Sequence, residues 1–386
     1  MIKLKWKDNW ITFGNIQWSG SAEQSSRELS FTIPINPYKK DLKGYQIKLG
    51  DIVSMYDDNT LLFLGVVTNR EKAAEIGEGS YTAKDFCHYL LRSNGTYMFK
   101  NYSPEKIVKK VCKDVKIPVG TLAKTGIRLP KLYFDDACLY DIIIKAYRKA
   151  KATTGKKYMI TMQGKKVSVI EKGKDSGVEL VQGKTITGAT YSDTTDDMVN
   201  LVKIYNDKKK HLGTVKNVKN VDAYGVYAQS YTKESGVNAK SQAKAMFVGI
   251  TQEASVEAIG DIRAISGKSI SIKDDATGLS GKFYITNDTH TFESGTHTMS
   301  LELSWNNVME EGAESTGDSS KKDLSNNAKC YYIDSSKVYH SMKSCSACKG
   351  KNTKSSTVGK IKKIKIATGK NKGKRKYKPC SKCWNT

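Results

Sequence analysis

The chain has no run of eighteen apolar residues, and no apolar stretch follows its opening Met1-Ile-Lys-Leu-Lys-Trp-Lys-Asp8. The first absence argues against a helical membrane span and the second against a signal peptide, so no membrane insertion is expected. Without an export signal, eight cysteines in 386 residues read as reduced thiols or metal ligands rather than disulfides. Catalytic motifs are missing too. There is no Gly-x-Ser-x-Gly elbow and no His-Glu-x-x-His helix. Ser266-Gly267-Lys268-Ser269 ends like a phosphate loop, but Ile262 stands where its first glycine belongs. The following Ile270-Ser-Ile-Lys alternates like a strand, where such a loop needs a helix. Histidines number five: His88 and His211 have no evident acid or nucleophile in a recognisable motif. His290 and His297 flank Ser294-Gly295 and read as surface cross-strand partners in a polar hairpin.

Acidic residues are nearly absent from the C-terminal end. From Lys321 onward there are 19 Lys/Arg against 2 Asp/Glu, a net of +17, while the preceding 320 residues carry 45 against 37. The total of +25 therefore belongs mostly to a terminal segment.

The rest of the chain alternates between two periods. Leu29, Phe31, Ile33 and Ile35 repeat every second residue, and Asp51–Tyr56 with Leu61–Val67 form a hairpin pattern. From Ser103 the period becomes helical: Ser103 suits an N-cap, Pro104 the first turn and Glu105 the dipole. Ile107, Val108, Val111, Cys112 and Val115 then mark one buried face, so Cys112 reads as a core residue. A second helix is predicted from about 137 to 151. Cys138 at its start and Cys87 in an earlier short stretch read as packing residues. Strand patterns return at 158–162, 167–170, 198–205, 225–231, 281–286 and 297–305, interrupted by a helix near 238–247. Predicted boundaries are a β-domain at 1–95, a helical α+β domain at 96–168, a second β-domain with one helix at 169–308, a polar linker at 309–329 and a module at 330–386.

That module contains His340, Cys345, Cys348, Cys380 and Cys383 in a lysine-rich setting with few large apolar residues. A Cys-x-x-Cys turn presents two thiolates together, and a second pair completes the tetrahedron that zinc accepts. A metal would supply folding energy that so small a core lacks. Spacing alone allows Cys345, Cys348, Cys380 and Cys383. Four protein ligands leave no open position for water, which makes such a zinc structural. The basic residues Lys362, Lys363, Lys365, Lys374, Arg375 and Lys376 are candidate polyanion contacts.

Several strings carry a resemblance. Leu49-Gly-Asp-Ile-Val-Ser-Met-Tyr with Leu62-Phe-Leu-Gly-Val-Val resembles the first domain of phage tail hubs, and Gly95-Thr-Tyr-Met-Phe-Lys-Asn-Tyr-Ser-Pro-Glu-Lys-Ile-Val is similar to their second. Thr125-Gly-Ile-Arg-Leu-Pro-Lys-Leu, Tyr140-Asp-Ile-Ile and Thr154-Gly-Lys-Lys-Tyr continue that likeness. Ser255-Val-Glu-Ala-Ile-Gly-Asp-Ile-Arg, Thr277-Gly-Leu-Ser-Gly-Lys-Phe-Tyr-Ile, Asp288-Thr-His-Thr and His297-Thr-Met-Ser-Leu extend it. Together they resemble the baseplate hub of contractile phage tails and phage-tail-like bacteriocins, in the branch of PBSX-like prophages, over roughly residues 1–307.

The resemblance implies a mostly β, α+β fold with two tube-like β-barrel domains flanking the helical one. It implies a structural, non-enzymatic homotrimer joining a six-fold tail tube to a three-fold central spike. The implied partners are the tube protein, spike, tape-measure protein and baseplate wedge proteins, with DNA in transit in a true phage. Assembly in the host cytoplasm and residence in the released particle follow. Tyr339-His340 and Lys378-Pro-Cys-x-x-Cys383 resemble the Ada-type metal-binding fold, which implies His340, Cys345, Cys380 and Cys383 as ligands, with Cys348 the alternate fourth. The gap from His340 to Cys345 is one residue longer than that pattern, and the spacer is richer in lysine. Two other functions remain in view: a hub-associated peptidoglycan hydrolase, and polyanion or nucleic-acid binding by the basic module.

Overall fold

The computed structural model describes residues 1–23, 26–35, 45–71, 77–234, 237–310, 329–332, 338–340, 354–357 and 378–379. Contact density divides the chain into two units. One is Met1–Leu201, Asn217–Tyr227 and Phe247–Glu314; the other is Val202–Lys216, Ala228–Met246 and Ser315–Thr386.

The first unit opens with strands β1 (Ile2–Trp6), β2 (Asn9–Ile11), β3 (Asn15–Ser21), β4 (Glu28–Ile35), β5 (Ile52–Asp57), β6 (Thr60–Glu71) and β7 (Gly77–Asp85). Helical character follows, with α1 (Cys87–Leu91), β8 (Asn94–Tyr102), α2 (Pro104–Asp114), β9 (Val119–Leu122), β10 (Leu129–Cys138), α3 (Leu139–Thr154), β11 (Tyr158–Gln163) and β12 (Lys166–Glu171). Next come β13 (Asp175–Val181), β14 (Ile186–Thr194) and β15 (Leu201–Tyr205), the last leading into the second unit. That unit contributes β16 (His211–Lys216), and α4 (Val218–Tyr224) belongs to the first. Then follow β17 (Ala228–Thr232), α5 (Ala239–Ala245), β18 (Thr251–Ile259), β19 (Ser269–Asp274), β20 (Leu279–Glu293) and β21 (Thr296–Ser304). Short strands β22 (Lys329–Tyr332), β23 (Val338–His340), β24 (Lys354–Thr357) and β25 (Lys378–Pro379) close the chain.

The two expected β-domains are not separately closed. Their strands join one 13-stranded sheet with the path β14-β18-β21-β20-β3-β4-β7-β6-β5-β1-β2, and β19 and β13 branch from β20. No closed barrel is present among the described residues. The cause is the 15-residue β20: its first half pairs with β19 and its second half with β3, so hydrogen bonding passes from one lobe into the other. Each lobe keeps its own apolar core. One is built on Leu4, Ile16, Leu29, Phe31, Ile33 and Met55, the other on Val256, Ile270, Phe283, Ile285 and Leu301. Ser269 does begin a strand, as the alternation after the phosphate-loop-like tetrad predicts.

A third core belongs to the helices. Ile107, Val108, Val111 and Cys112 of α2 pack with Ile142, Ile143, Ala146 and Tyr147 of α3 over β8–β12. Ser103 caps α2 by accepting from Lys106 N at 3.4 Å, and Gly155 ends α3 with φ +69°, a left-handed conformation that glycine adopts freely. Burial pushes the Cys112 thiol up to about 12 and Cys87 well above its usual range, so neither is a nucleophile. Cys138 donates weakly to the carbonyls of Leu90 and Leu91.

The polar linker does not begin at Met309. Met309 is 2% exposed and belongs to the helical core. Around it, basic side chains hold the backbone carbonyls of four consecutive residues. Lys157 Nζ donates to Asn307, Lys172 Nζ to Val308 (2.6 Å), and Arg148 Nη1 to Met309 (2.7 Å) and Glu310 (2.8 Å). Tyr140 Oη donates to Glu310 Oε2 at 2.7 Å. A single apolar side chain anchors an otherwise polar strap, which composition alone conceals.

In the second unit, β16-β15-β17 form a three-stranded sheet and α5 is capped by Asn238. The closing strands form a sheet in the order β24-β22-β23-β25.

Candidate functional site

The register of the large sheet sorts its residues into two faces. On one face the rows run Thr190–Ser255–Glu302–Asn287–Ser21, Gly188–Glu257–Ser300–Thr289–Ser19–Glu28–Lys84 and Thr298–Thr291–Gln17–Ser30–Thr82. Ser192 pairs with Glu253 beyond the first row. All are exposed or half-exposed. Hydroxyls and amides dominate, and Lys84 is the sole cation on these rows, 3.4 Å from Glu28. Among the described residues Glu253, Glu257 and Glu302 have no cationic partner; Glu302 accepts from the Asn287 amide. The result is a wet, unbroken polar surface across seven strands, with small side chains and a negative bias.

The opposite rows are apolar except at the crossing of β3 and β20. Ala258–Met299–His290–Trp18–Leu29–Ala83 and Val256–Leu301–Asp288–Gly20 run side by side beneath the polar face. Asp288 is buried, and Arg27 reaches it with both terminal nitrogens, Nη1 lying 3.0 Å from Oδ1. Ser266 N donates to the same Oδ1 at 2.6 Å. The guanidinium lies over the Trp18 ring, 4.0 Å from its centroid. Gly20 makes room for this: a Cβ there would stand 2.2 Å from Arg27 Nη1. Asp85, also buried, accepts from Arg27 N, and burial raises it to about 7.

His290 is fully buried, so the surface role expected for the histidine pair is corrected. Its Nε2 donates to the Ala264 carbonyl at 3.1 Å, which leaves Nδ1 to accept from His297 Nε2 at 3.0 Å. Desolvation is the main reason the His290 pKa falls to about 4, and it lowers His297 too. Two neutral rings thus form a hydrogen-bonded run from His297 through His290 to the Ala264 carbonyl. With its ring nitrogens committed to Ala264 and His297, His290 is not poised as a general base.

Sequence alternation missed this cluster for an identifiable reason. Phe283 and Ile285 point inward, but the register slips between Ile285 and Asn287, so the inward set becomes Asp288, His290 and Phe292. A strict period of two assigns Asp288 and His290 to the surface. Arg27, at the foot of β4, has no local signal at all.

Of the expected metal ligands, His340 ends β23, its backbone paired with Tyr331. Tyr339 pairs in parallel with Pro379, and Tyr339 is completely buried. Cys345, Cys348, Cys380 and Cys383 lie outside the described residues, as do Lys362, Lys363, Lys365, Lys374, Arg375 and Lys376. His88 is half-buried beside Tyr89, and His211 bonds Thr214.

Known proteins resemble this chain in sequence and in fold. The chain is 30% identical to the uncharacterised protein YqbQ of Bacillus subtilis over 282 residues, covering 70% of this chain and 86% of YqbQ. It is 26% identical to the phage-like element PBSX protein XkdQ of the same organism over 309 residues, 77% and 94% of the two chains. Its fold is similar to the 43 kDa tail protein of prophage MuSo2 from Shewanella oneidensis (TM-score 0.60, 14% identity, 78% of this chain and 97% of that one). It is also similar to a tail protein from Neisseria meningitidis MC58 (TM-score 0.58, 12% identity, 80% and 97%). A family profile described as YQBQ-like matches residues 16–304, three-quarters of the length, and the chain belongs to that family.

Proposed function

We propose that the protein is a structural part of a phage tail or phage-tail-like particle: a baseplate hub whose three copies join a six-fold tube to a three-fold spike. The observation that carries this is the polar face running unbroken through two β lobes. Three chains with two lobes each would supply six β lobes, so one ring can meet both symmetries. A surface of hydroxyls, amides and carboxylates suits a wall past which a tape-measure protein or DNA slides without adhering. XkdQ relatives in a PBSX-like element and tail-protein folds support the same setting. Tube, spike and wedge proteins are the partners this role requires. Cryo-electron microscopy of particles carrying a tagged chain tests it. Three copies are expected at the tube–spike junction, and a location elsewhere or a single copy overturns it. The reading is non-enzymatic; a clearing band on a cell-wall zymogram would count for a hydrolase.

For the C-terminal segment we propose a structural zinc module. The supporting observation is the parallel pairing of Tyr339 with Pro379, the residues that immediately precede His340 and Cys380 in the sequence. That favours His340, Cys345, Cys380 and Cys383 over the set containing Cys348. Zinc there would cross-link the chain and leave no site for water. One zinc per chain is expected by mass spectrometry, with chelation exposing the segment to protease. Loss of metal in Cys348→Ser but not His340→Ala would instead assign four thiolates.

A further inference from the structure

The 45 basic and 37 acidic residues of the first 320 are unevenly placed. Residues 96–168 hold 17 Lys/Arg against 5 Asp/Glu, a net of +12, whereas 1–95 stand at +1 and 169–320 at −5. This helical span has its own apolar core, so its charge is displayed outward. On α2 the buried stripe is Ile107, Val108, Val111 and Cys112, and the opposite side exposes Lys106, Lys109 and Lys113. Spacings of three and four residues put these ammonium groups above one another, about 4.5 and 6 Å apart along the axis.

Both acids of α2 are committed elsewhere. Glu105 accepts from Thr125 N (2.6 Å) and Oγ1 (2.9 Å), and Asp114 from Lys110 (2.8 Å) and Tyr97 Oη (3.0 Å). Lys116 stands exposed just past the helix. A second like-charge contact lies on the neighbouring ribbon, where Lys100 of β8 is directly opposite Lys131 of β10, both exposed. Like charges facing one another destabilise the free chain, and an anion relieves the repulsion.

The composition selects the kind of anion. Fifteen of the 17 basic residues are lysine, and the exposed side of α2 carries no aromatic or large apolar residue. Interfaces between proteins are poor in lysine and rich in arginine and aromatics at their centres. A helix lying on a membrane would present its apolar side to lipid, but that side of α2 is buried. Solvated lysines in a row suit phosphates, where each contact displaces condensed counterions without reading sequence. We propose that the α2 lysine face binds double-stranded DNA through its phosphate backbone. This goes beyond the hub role, which requires no DNA contact from the helical span.

The test is fluorescence anisotropy of the full chain with a labelled 20-base-pair duplex, titrated between 50 and 200 mM NaCl. To silence the basic C-terminal segment, the reference carries Lys362→Glu, Lys363→Glu and Lys365→Glu. Adding Lys106→Glu, Lys109→Glu and Lys113→Glu should make the slope of log K against log [salt] shallower by about 2.7, at about 0.9 per phosphate contact. Between those salt concentrations the variant should therefore lose roughly 40-fold less affinity than the reference. The three side chains are exposed, so the thermal melt should not move; if it does, Lys109→Ala alone should change the slope by about 0.9. An unchanged slope, or no binding at 50 mM salt by the reference, overturns the proposal. So does equal competition by polyglutamate, which would assign an acidic protein partner, or preference for a poly(glycerol phosphate), which would assign a wall polymer.

Discussion

Asp288 and Arg27 set what a single side chain contributes to this fold. A buried carboxylate deprived of its partner retains the desolvation cost without the compensation. Arg27→Ala should therefore cost about 3–5 kcal/mol in chemical denaturation. Asp288→Asn together with Arg27→Ala should cost less than the sum of the two single changes, and strict additivity would deny the coupling. His290 gives a pH signature. Its pKa is depressed to about 4 when folded, so between about pH 6.5 and 4 the unfolded chain binds a proton that the folded one refuses. Its contribution is intact above that window and fades as pH falls through it, by about 3 kcal/mol in full. Urea midpoints of wild type and His290→Gln, measured across that window, should diverge; parallel curves would remove the histidine from the account. None of this was legible in the sequence, because the slip after Ile285 inverts the side on which Asp288 and His290 fall.

At the level of elements, local chemistry was more legible. Ser103, Pro104 and the apolar spacing behind them announce α2, and the hairpins at 52–71 and 158–171 follow their alternation. The strap over 307–310 was hidden, since its grip consists of distant lysine, arginine and tyrosine side chains meeting backbone carbonyls that have no sequence identity. Its titration runs opposite to that of His290. Burial raises the Glu310 carboxyl to about 7, so above its ordinary range the unfolded chain ionises while the folded one still holds the proton. Stability from this group is complete below about pH 4.5 and is lost as pH rises through 7. Glu310→Gln should make stability climb more steeply with pH over that interval. Hydrogen exchange at Met309 and Glu310 should slow relative to wild type at pH 7.5, and an unchanged rate would mean the carboxyl does not govern the strap.

For the whole molecule, the joining of two lobes by β20 makes the sheet a product of distant chain segments. Asn15 pairs with Glu293, and Ser21 with Asn287. The growing chain thus exposes the edge of β3 from its first moments until the second half of β20 is made, an interval of tens of seconds at about 5–20 residues per second. Unpaired edges are templates for association. A chain ending at residue 278, before β20 begins, should accumulate as β-rich oligomers. A peptide spanning 285–295, added during refolding, should suppress them; a monomeric truncated chain would contradict this. The late strand is thus a closing stitch: it brings Phe292 into the first lobe's core, and that lobe must wait for it before its edge is safe.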